Sequence, residues 1–385
     1  MLALVALLAL AATGPAAGPA ALAVTLAAPA SPGQAGSPGG DLPAPDELGG
    51  HGVGYQTVTI VDESRARVLT TAVWYPSDAR LPAPGAPAAG LATPASYEIA
   101  PKVGIQSRVA VAGAPVERGR FPLVVISHGS AGNRVQLASL AEVLASRGYV
   151  VAAPDHPGDT MADFAAGRDE PQVDEASDRP LDVSAVIDWM LCPDREFGPV
   201  LNPGQVAVVG FSFGGLTALV APVGFLHAPG DPRVRVVVAI SPASEVLPAD
   251  IAARIRVPTL LIGGTVDPLT PIERNADRTF GELTSAPDRL EVRVPQGTHN
   301  SFTDLCDQAY LAANGLVPAG IRVRLQLGAL VTCLPPMAEA AQARQVARWY
   351  TVAYLERYLR GDDRYGRFLA PAAALPVRVT VRTTP

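Results

Sequence analysis

The sequence predicts an α/β fold: a mostly parallel central sheet with helices on both faces and an antiparallel N-terminal start. Two observations predict it. Short continuous apolar runs such as "FPLVVIS" and "QVAVVG" suit strands buried on both faces. Between them lie stretches whose apolar residues recur at helical spacing, so strands and helices alternate. No period repeats and no linker divides residues 50 to 370, so residues 46–385 read as one domain behind a distinct leader at 1–45.

The elements follow in order. "YQTVTIV" and "ARVLTTAVWYP" alternate in polarity and predict an antiparallel pair. Residues 77–120 are rich in Pro, Ala and Gly and read as a long surface excursion. "FPLVVISHG" is the first central strand. "RVQLASLAEVLASRG" is a helix with Leu137, Leu140, Ala141 and Leu144 on one face and Gly148 as its stop. "YVVAAPDHPGD" is a strand, and "LDVSAVIDWMLC" a helix with Val183, Val186, Ile187 and Met190 inward. "QVAVVG", "VRVVVAIS", "VPTLLIGG" and "RLEVRVPQG" are further strands. "PIERNADRTFGEL" and "AEAAQARQVARWYTVAYLERYL" are helices.

Composition narrows the function. Charged residues make up 17% of the 385 and the net charge is −6, so no basic surface points to nucleic acid. The first 45 residues join an apolar run, "MLALVALLALAA", to an Ala/Pro/Gly-rich stretch, which reads as an export signal and linker. No Lys or Arg precedes that run, so a retained anchor is the alternative. Pro15 and Pro19 argue against a stable membrane span. The expected location is secreted or periplasmic. The three cysteines fit no metal spacing. Cys306 and Cys333 flank one loop-rich segment and are the expected disulfide, with Cys192 a buried free thiol.

The chemistry centres on "VVGFSFGGLTAL". Gly210, Ser212 and Gly214 satisfy G-x-S-x-G between a buried strand and a helix of small residues. That context suits a turn too tight for side chains, which holds the serine at a strained position with its hydroxyl exposed. The Phe213 N–H then points into the site from a helix N-terminus. A serine hydroxyl needs a base. In a strand-turn-helix elbow the acid and then the histidine follow the serine. Of the five histidines only His227 and His299 do so. His227 lies too close in sequence, whereas His299 in "VPQGTHNSF" follows the last strand. Asp267 in "LLIGGTVDPLTP" follows the strand before it and is the acid that orients His299. Asp304 and Asp307 come after the histidine and read as solvated or capping carboxylates. The loop "SHGSAGNR" offers the Ser130 N–H as second oxyanion donor beside Phe213. His128 reads as packing beneath that loop, and His156 as structural; with Phe211 they are the residues that could line a pocket.

Four segments, "GRFPLVVISHGSAGNR", "LASRGYVVAAPDHPGD", "VAVVGFSFGG" and "GGTVDPLTP", together resemble the α/β-hydrolase superfamily. Within it they resemble bacterial predicted dienelactone hydrolases related to platelet-activating-factor acetylhydrolase, and more distantly the cutinases and poly(ethylene terephthalate) hydrolases. The resemblance covers roughly residues 52 to 360 and implies an α/β-hydrolase fold, the triad Ser212, Asp267 and His299, and an oxyanion hole from Ser130 and Phe213. True dienelactone hydrolases use a cysteine nucleophile, so a serine here argues against dienelactone ring-opening. Relatives usually carry histidine at the position of Phe211.

The expectation is therefore a serine carboxylester hydrolase for small or short-acyl esters, needing no metal or organic cofactor, with a monomer favoured. Polyester or acetylated-phospholipid hydrolysis is the alternative, as is a peptidase or amidase. A non-catalytic binding module is disfavoured because all three triad residues are present in order. Residues 304–336, with both later cysteines, are expected to form a covering lobe.

Overall fold

The computed structural model describes residues 42–82, 92–100, 103–313, 317, 319–330, 332–333, 337–372 and 374–384. The segment read as an export signal, and nearly all of the linker behind it, lie outside the described residues.

The chain begins with the antiparallel pair β1 (Gly52–Asp62) and β2 (Arg67–Ser77), in register from Gly52 opposite Ser77 to Asp62 opposite Arg67. The next stretch departs from the sequence reading. Residues 77–120 contribute two strands, β3 (Pro94–Ala100) and β4 (Val103–Ala112), and β4 pairs in parallel with β1. Ala95, Tyr97 and Ile99 are buried at alternate positions, the signature of a half-covered strand. The surrounding prolines and glycines obscure that alternation.

The central layer follows: β5 (Phe121–Ser127), α1 (Ala138–Ser146), β6 (Val150–Pro154), α2 (Met161–Ala165) and α3 (Gln172–Leu191). Next come β7 (Leu201–Phe211), α4 (Phe213–Val220), a short hairpin of β8 (Gly224–Phe225) and β9 (Ala228–Pro229), and β10 (Val234–Ile240). After these run α5 (Ala249–Ala252), β11 (Thr259–Gly264), α6 (Ala276–Glu282) and β12 (Arg289–Val294). The chain closes with α7 (Leu305–Ala313), α8 (Ala319–Leu330), α9 (Ala340–Tyr358) and β13 (Thr380–Thr383).

Among the described residues one sheet runs β13-β12-β11-β10-β7-β5-β6-β2-β1-β4-β3. From β12 to β6 neighbouring strands are parallel; β2 and β13 join antiparallel at either side. Strand β13, on the rim beyond β12, carries too weak an apolar pattern to be read from sequence.

The continuous apolar runs have a direct structural cause. Side chains alternate across a strand. In β7, Ala207 and Val209 join the core under α1 and α9, while Val206 and Val208 join the core under α3, α4 and α6. Both faces are therefore covered, and each fully buried Val or Leu contributes about 1.5–3 kcal/mol of transfer free energy. Helix α3 starts nine residues earlier than the apolar pattern suggests, at Gln172, and continues through Pro180. Its first turns bury Glu175, Arg179 and Asp182, a row at i, i+4 and i+7, ahead of the apolar face at Val183, Val186 and Ile187.

Candidate active site

The site forms where β7 ends and α4 begins. Ser212 occupies that junction with φ 56° and ψ −118°, a conformation that costs an L-residue about 1–3 kcal/mol. The surrounding backbone holds it there. The Ser212 N–H donates to the Ile240 carbonyl at 2.9 Å, and the Ser212 carbonyl accepts from Ala243 and Gly215, both at 2.9 Å. Two glycines permit the turn by close approach. A Cβ on Gly210 would lie 1.8 Å from the Gly214 carbonyl oxygen, and one on Gly214 would lie 2.0 Å from that of Ser127.

His299 opens a single 3-10 turn, His299–Phe302, shortly after β12. Its start is capped by Thr298 and Ser301, whose hydroxyls lie 2.9 Å apart. His299 Nε2 is 2.8 Å from Ser212 Oγ, and His299 Nδ1 is 2.8 Å from Asp267 Oδ2. Asp267 sits in the turn after β11. Its Oδ1 accepts from the amides of Leu269 and Thr270, each at 2.9 Å, and its Oδ2 also accepts from Thr270 Oγ1 at 2.7 Å. Burial alone would raise the Asp267 carboxyl, but the hydrogen bonds from His299 and Thr270 outweigh it and hold the group below the usual carboxylate range. With Asp267 ionised, the Nδ1 proton of His299 faces the carboxylate and Nε2 is left to accept from Ser212. Thr270 completes this orientation, and sequence reasoning passed over it because a threonine in a polar turn has no distinguishing pattern.

The other residues that follow Ser212 take different places. His227 is exposed at the turn of the β8–β9 hairpin. Asp304 is buried and its Oδ2 accepts the Ser139 N–H at 2.9 Å, capping the start of α1. Asp307 is largely exposed beside Arg344.

The loop after β5 comes close to the nucleophile: a Cβ on Gly129 would lie 3.2 Å from Ser212 Cβ. Ser130 Oγ and the Ala131 N–H both donate to Asp159 Oδ1 at 2.8 Å, and the Gly129 N–H donates to Gln136 Oε1 at 2.8 Å. The Ser130 and Phe213 amides meet no acceptor among the described residues.

The three residues that could line a pocket are all buried, with His128 packed beneath the loop and His156 structural, as the sequence reads them. Phe211 is buried, and its ring packs against His299 at 4.9 Å between centroids. His128 and His156 are sealed beneath the loop rather than facing a pocket, because each satisfies both ring nitrogens internally. His128 Nδ1 donates to the Gly129 carbonyl at 2.7 Å and Nε2 accepts the His156 N–H at 3.1 Å. His156 Nε2 meets Ser127 Oγ at 2.9 Å and Nδ1 meets Asp182 Oδ2 at 3.0 Å. Burial, with Arg179 nearby, pushes His128 down to about 3 and His156 to about 4, so both rings are neutral at pH 7. Cys306 and Cys333 form a disulfide, and Cys192 is free and half-buried rather than buried. No helix among the described residues is long and apolar enough to cross a membrane.

The sequence model of the dienelactone hydrolase family matches residues 109–314. Cutinase est1 of Thermobifida alba is 23% identical over 259 residues, covering 67% of this chain and 67% of its own length. A bis(hydroxyethyl) terephthalate hydrolase of Streptomyces coelicolor is 22% identical over 255 residues, covering 66% of this chain and 62% of the relative. Among solved structures, a ferulic acid esterase from Streptomyces cinnamoneus superposes with a TM-score of 0.62 at 27% identity, covering 87% of this chain and 96% of the esterase.

Proposed function

The chain belongs to the dienelactone hydrolase family of α/β-hydrolases, and we propose that it cleaves small or short-acyl esters with Ser212 as nucleophile, His299 as general base and Asp267 as the orienting acid. It is a carboxylester hydrolase. The observation that carries the site assignment is the single ring of His299 standing 2.8 Å from both Ser212 Oγ and Asp267 Oδ2.

In this reading Ser212 Oγ attacks the ester carbonyl carbon while its proton passes to His299 Nε2. The imidazolium so formed is stabilised by Asp267. The carbonyl oxygen becomes an oxyanion that accepts hydrogen bonds from the Ser130 and Phe213 amides. Collapse of the adduct breaks the ester C–O bond, and His299 returns its proton to the departing alcohol. Water, deprotonated by the same nitrogen, then attacks the acyl-enzyme and releases the acid and free Ser212. Every proton taken up is returned, so the residues present close the cycle.

A second reading extends the substrates to aromatic-acid esters and polyesters; the names of the terephthalate, cutinase and feruloyl relatives favour it. Acetylated phospholipids belong to the same comparison on the sequence resemblance. We further assign the protein to an oxidising, extracytoplasmic compartment, supported by the Cys306–Cys333 bond. The test is labelling with a fluorophosphonate probe followed by turnover of nitrophenyl acetate, nitrophenyl butyrate, a feruloyl ester and a peptide anilide. Labelling at Ser212 with ester turnover is expected. Failure of Ser212 to label sinks the assignment, and turnover of the anilide alone makes the protein an amidase.

A further inference from the structure

The two amides assigned to the oxyanion come from separate elements, the loop after β5 and the N-terminus of α4. Their separation must match one oxygen to a few tenths of an ångström if both are to donate. One buried side chain touches both supports. Arg179, on α3, has no solvent exposure. Its Nη1 donates to the carbonyl of His128 at 2.6 Å, two residues before Ser130. Its Nη2 donates to Asp159 Oδ2 at 2.6 Å, and the other oxygen of Asp159 holds Ser130 Oγ and the Ala131 amide. Its Cζ lies 5.0 Å from the centre of the Phe213 ring.

We propose that Arg179, acting with Asp159, is a positioning residue that sets the spacing of the Ser130 and Phe213 amides. This inference rests on the assignment of those amides to the oxyanion and of Ser212 as the nucleophile. The guanidinium suits the task because it is planar and fixes several partners at once. A buried arginine that served only to neutralise Asp159 needs neither the His128 carbonyl nor the Phe213 ring. Glu175 faces Arg179 Nε at 3.5 Å, and burial pushes that carboxyl up to about 8. Asp159 is thus left as the ionised partner at neutral pH. Burial opposes its ionisation, but Arg179 and the Ala131 amide outweigh the burial and lower it.

The test compares Arg179→Met, Arg179→Lys, Asp159→Asn and Ser130→Ala in the full chain, with active sites titrated and melting temperature recorded. Removing one oxyanion donor lowers kcat by about 10²–10³-fold in other serine hydrolases, so displacing one by Arg179→Met should lower kcat about 10–100-fold with KM changed less than about threefold. Affinity for an aryl boronic acid, which forms a tetrahedral adduct with the serine, should fall by the same factor as kcat/KM. Arg179→Lys should recover part of the loss. Asp159→Asn should show a similar defect, and the double variant should be no worse than the poorer single one. Ser130→Ala keeps its N–H and lies at an exposed position, so it folds even where Arg179→Met does not; it should lose about three- to tenfold in kcat with KM unchanged. Unaltered kcat per titrated site in Arg179→Met, or in Ser130→Ala where Arg179→Met does not fold, overturns the proposal. So does a melting-temperature drop with boronate affinity intact. A Ser212→Ala control that still turns over ester overturns instead the underlying site assignment, and the proposal with it.

Discussion

Among the described residues stand two Ser-His-Asp relays, their serines at the ends of adjacent strands. Ser212, His299 and Asp267 are linked by contacts of 2.8 and 2.8 Å; Ser127, His156 and Asp182 are linked by 2.9 and 3.0 Å. By distance and residue type they are nearly interchangeable. Even the packing beside each histidine corresponds, with Phe211 on His299 and His128 on His156, both at 4.9 Å. Their surroundings separate them. Ser127, His156 and Asp182 are each 0% exposed, whereas Ser212 is half-buried. Ser127 is the last residue of β5, and Ser212 has a positive φ that lifts its hydroxyl off the sheet. Asp182 is gripped by Arg65 and Arg67 at 2.8 and 2.9 Å, while Asp267 is held by Thr270 and two amides. The pair teaches that three groups at the same distances differ by access and strain: Ser212, the proposed nucleophile, is half-buried at a positive φ, whereas Ser127, His156 and Asp182 form a buried brace.

The sharpest way to break this contrast is to remove each serine in turn. Ser212→Ala should lower kcat on a nitrophenyl ester by about 10⁴–10⁶-fold. Ser127→Ala should leave kcat within about threefold and cost about 1–3 kcal/mol by urea denaturation, because His156 Nε2 loses its donor in a dry site. A folded Ser127→Ala variant that loses activity more than tenfold would end the distinction.

The acids provide the next test. Asp267→Asn should cost about 10³–10⁴-fold in kcat, since an amide no longer holds the productive tautomer. Asp182→Asn should keep its activity per folded molecule but lose about 3–5 kcal/mol of stability, as Arg65 and Arg67 are left underpaired. Parallel measurement of kcat and denaturation midpoint separates the two outcomes.

A smaller effect is expected at the ring supports. Phe211→Ala should lower kcat about tenfold through a loosened His299, along with about 3–5 kcal/mol lost to the cavity. Phe211→His should restore most of the activity if ring packing, rather than apolarity, is what the position supplies. Equal kcat in all three proteins would show that Phe211 is only core.

The smallest effect lies in acid. Burial acts to raise Asp182, but His156 and Arg67 lower it from 3.8 to about 2. Because its folded value lies below its unfolded one, the unfolded chain binds the extra proton between those limits. The brace thus contributes fully above pH 3.8 and is lost as pH falls toward 2. Denaturation midpoints taken at intervals from pH 5 to pH 2 should fall more steeply in the wild type than in Asp182→Asn. Parallel curves would remove Asp182 from the acid limb.

The contrast also explains what could be read from the chain. Ser212, Asp267 and His299 are legible because each follows an apolar run, and the order of those runs specifies which strand end each residue occupies. His128 and His156 also follow apolar runs. Their packing and structural roles are read from sequence only through their place outside the serine, acid, histidine order, because nothing in a local pattern tells a strand end that is roofed from one that is open. Arg179 is invisible for a related reason: charged residues before an apolar helical face look solvated, and α3 buries its first turns only because the loop above covers them. Strands β3 and β4 are masked by prolines and glycines around them, though the alternation of Ala95, Tyr97 and Ile99 is present in the text.

The bond between Cys306 and Cys333 spans 27 positions that begin just beyond His299 and include α7 and α8. It makes that part of the chain a covalent ring. A protease that cuts once inside the ring opens a loop without dividing the molecule, so the core helix α9 and rim strand β13 stay joined to the strands on which the serine and histidine depend. A single cut there is a scar that only a reductant turns into a break.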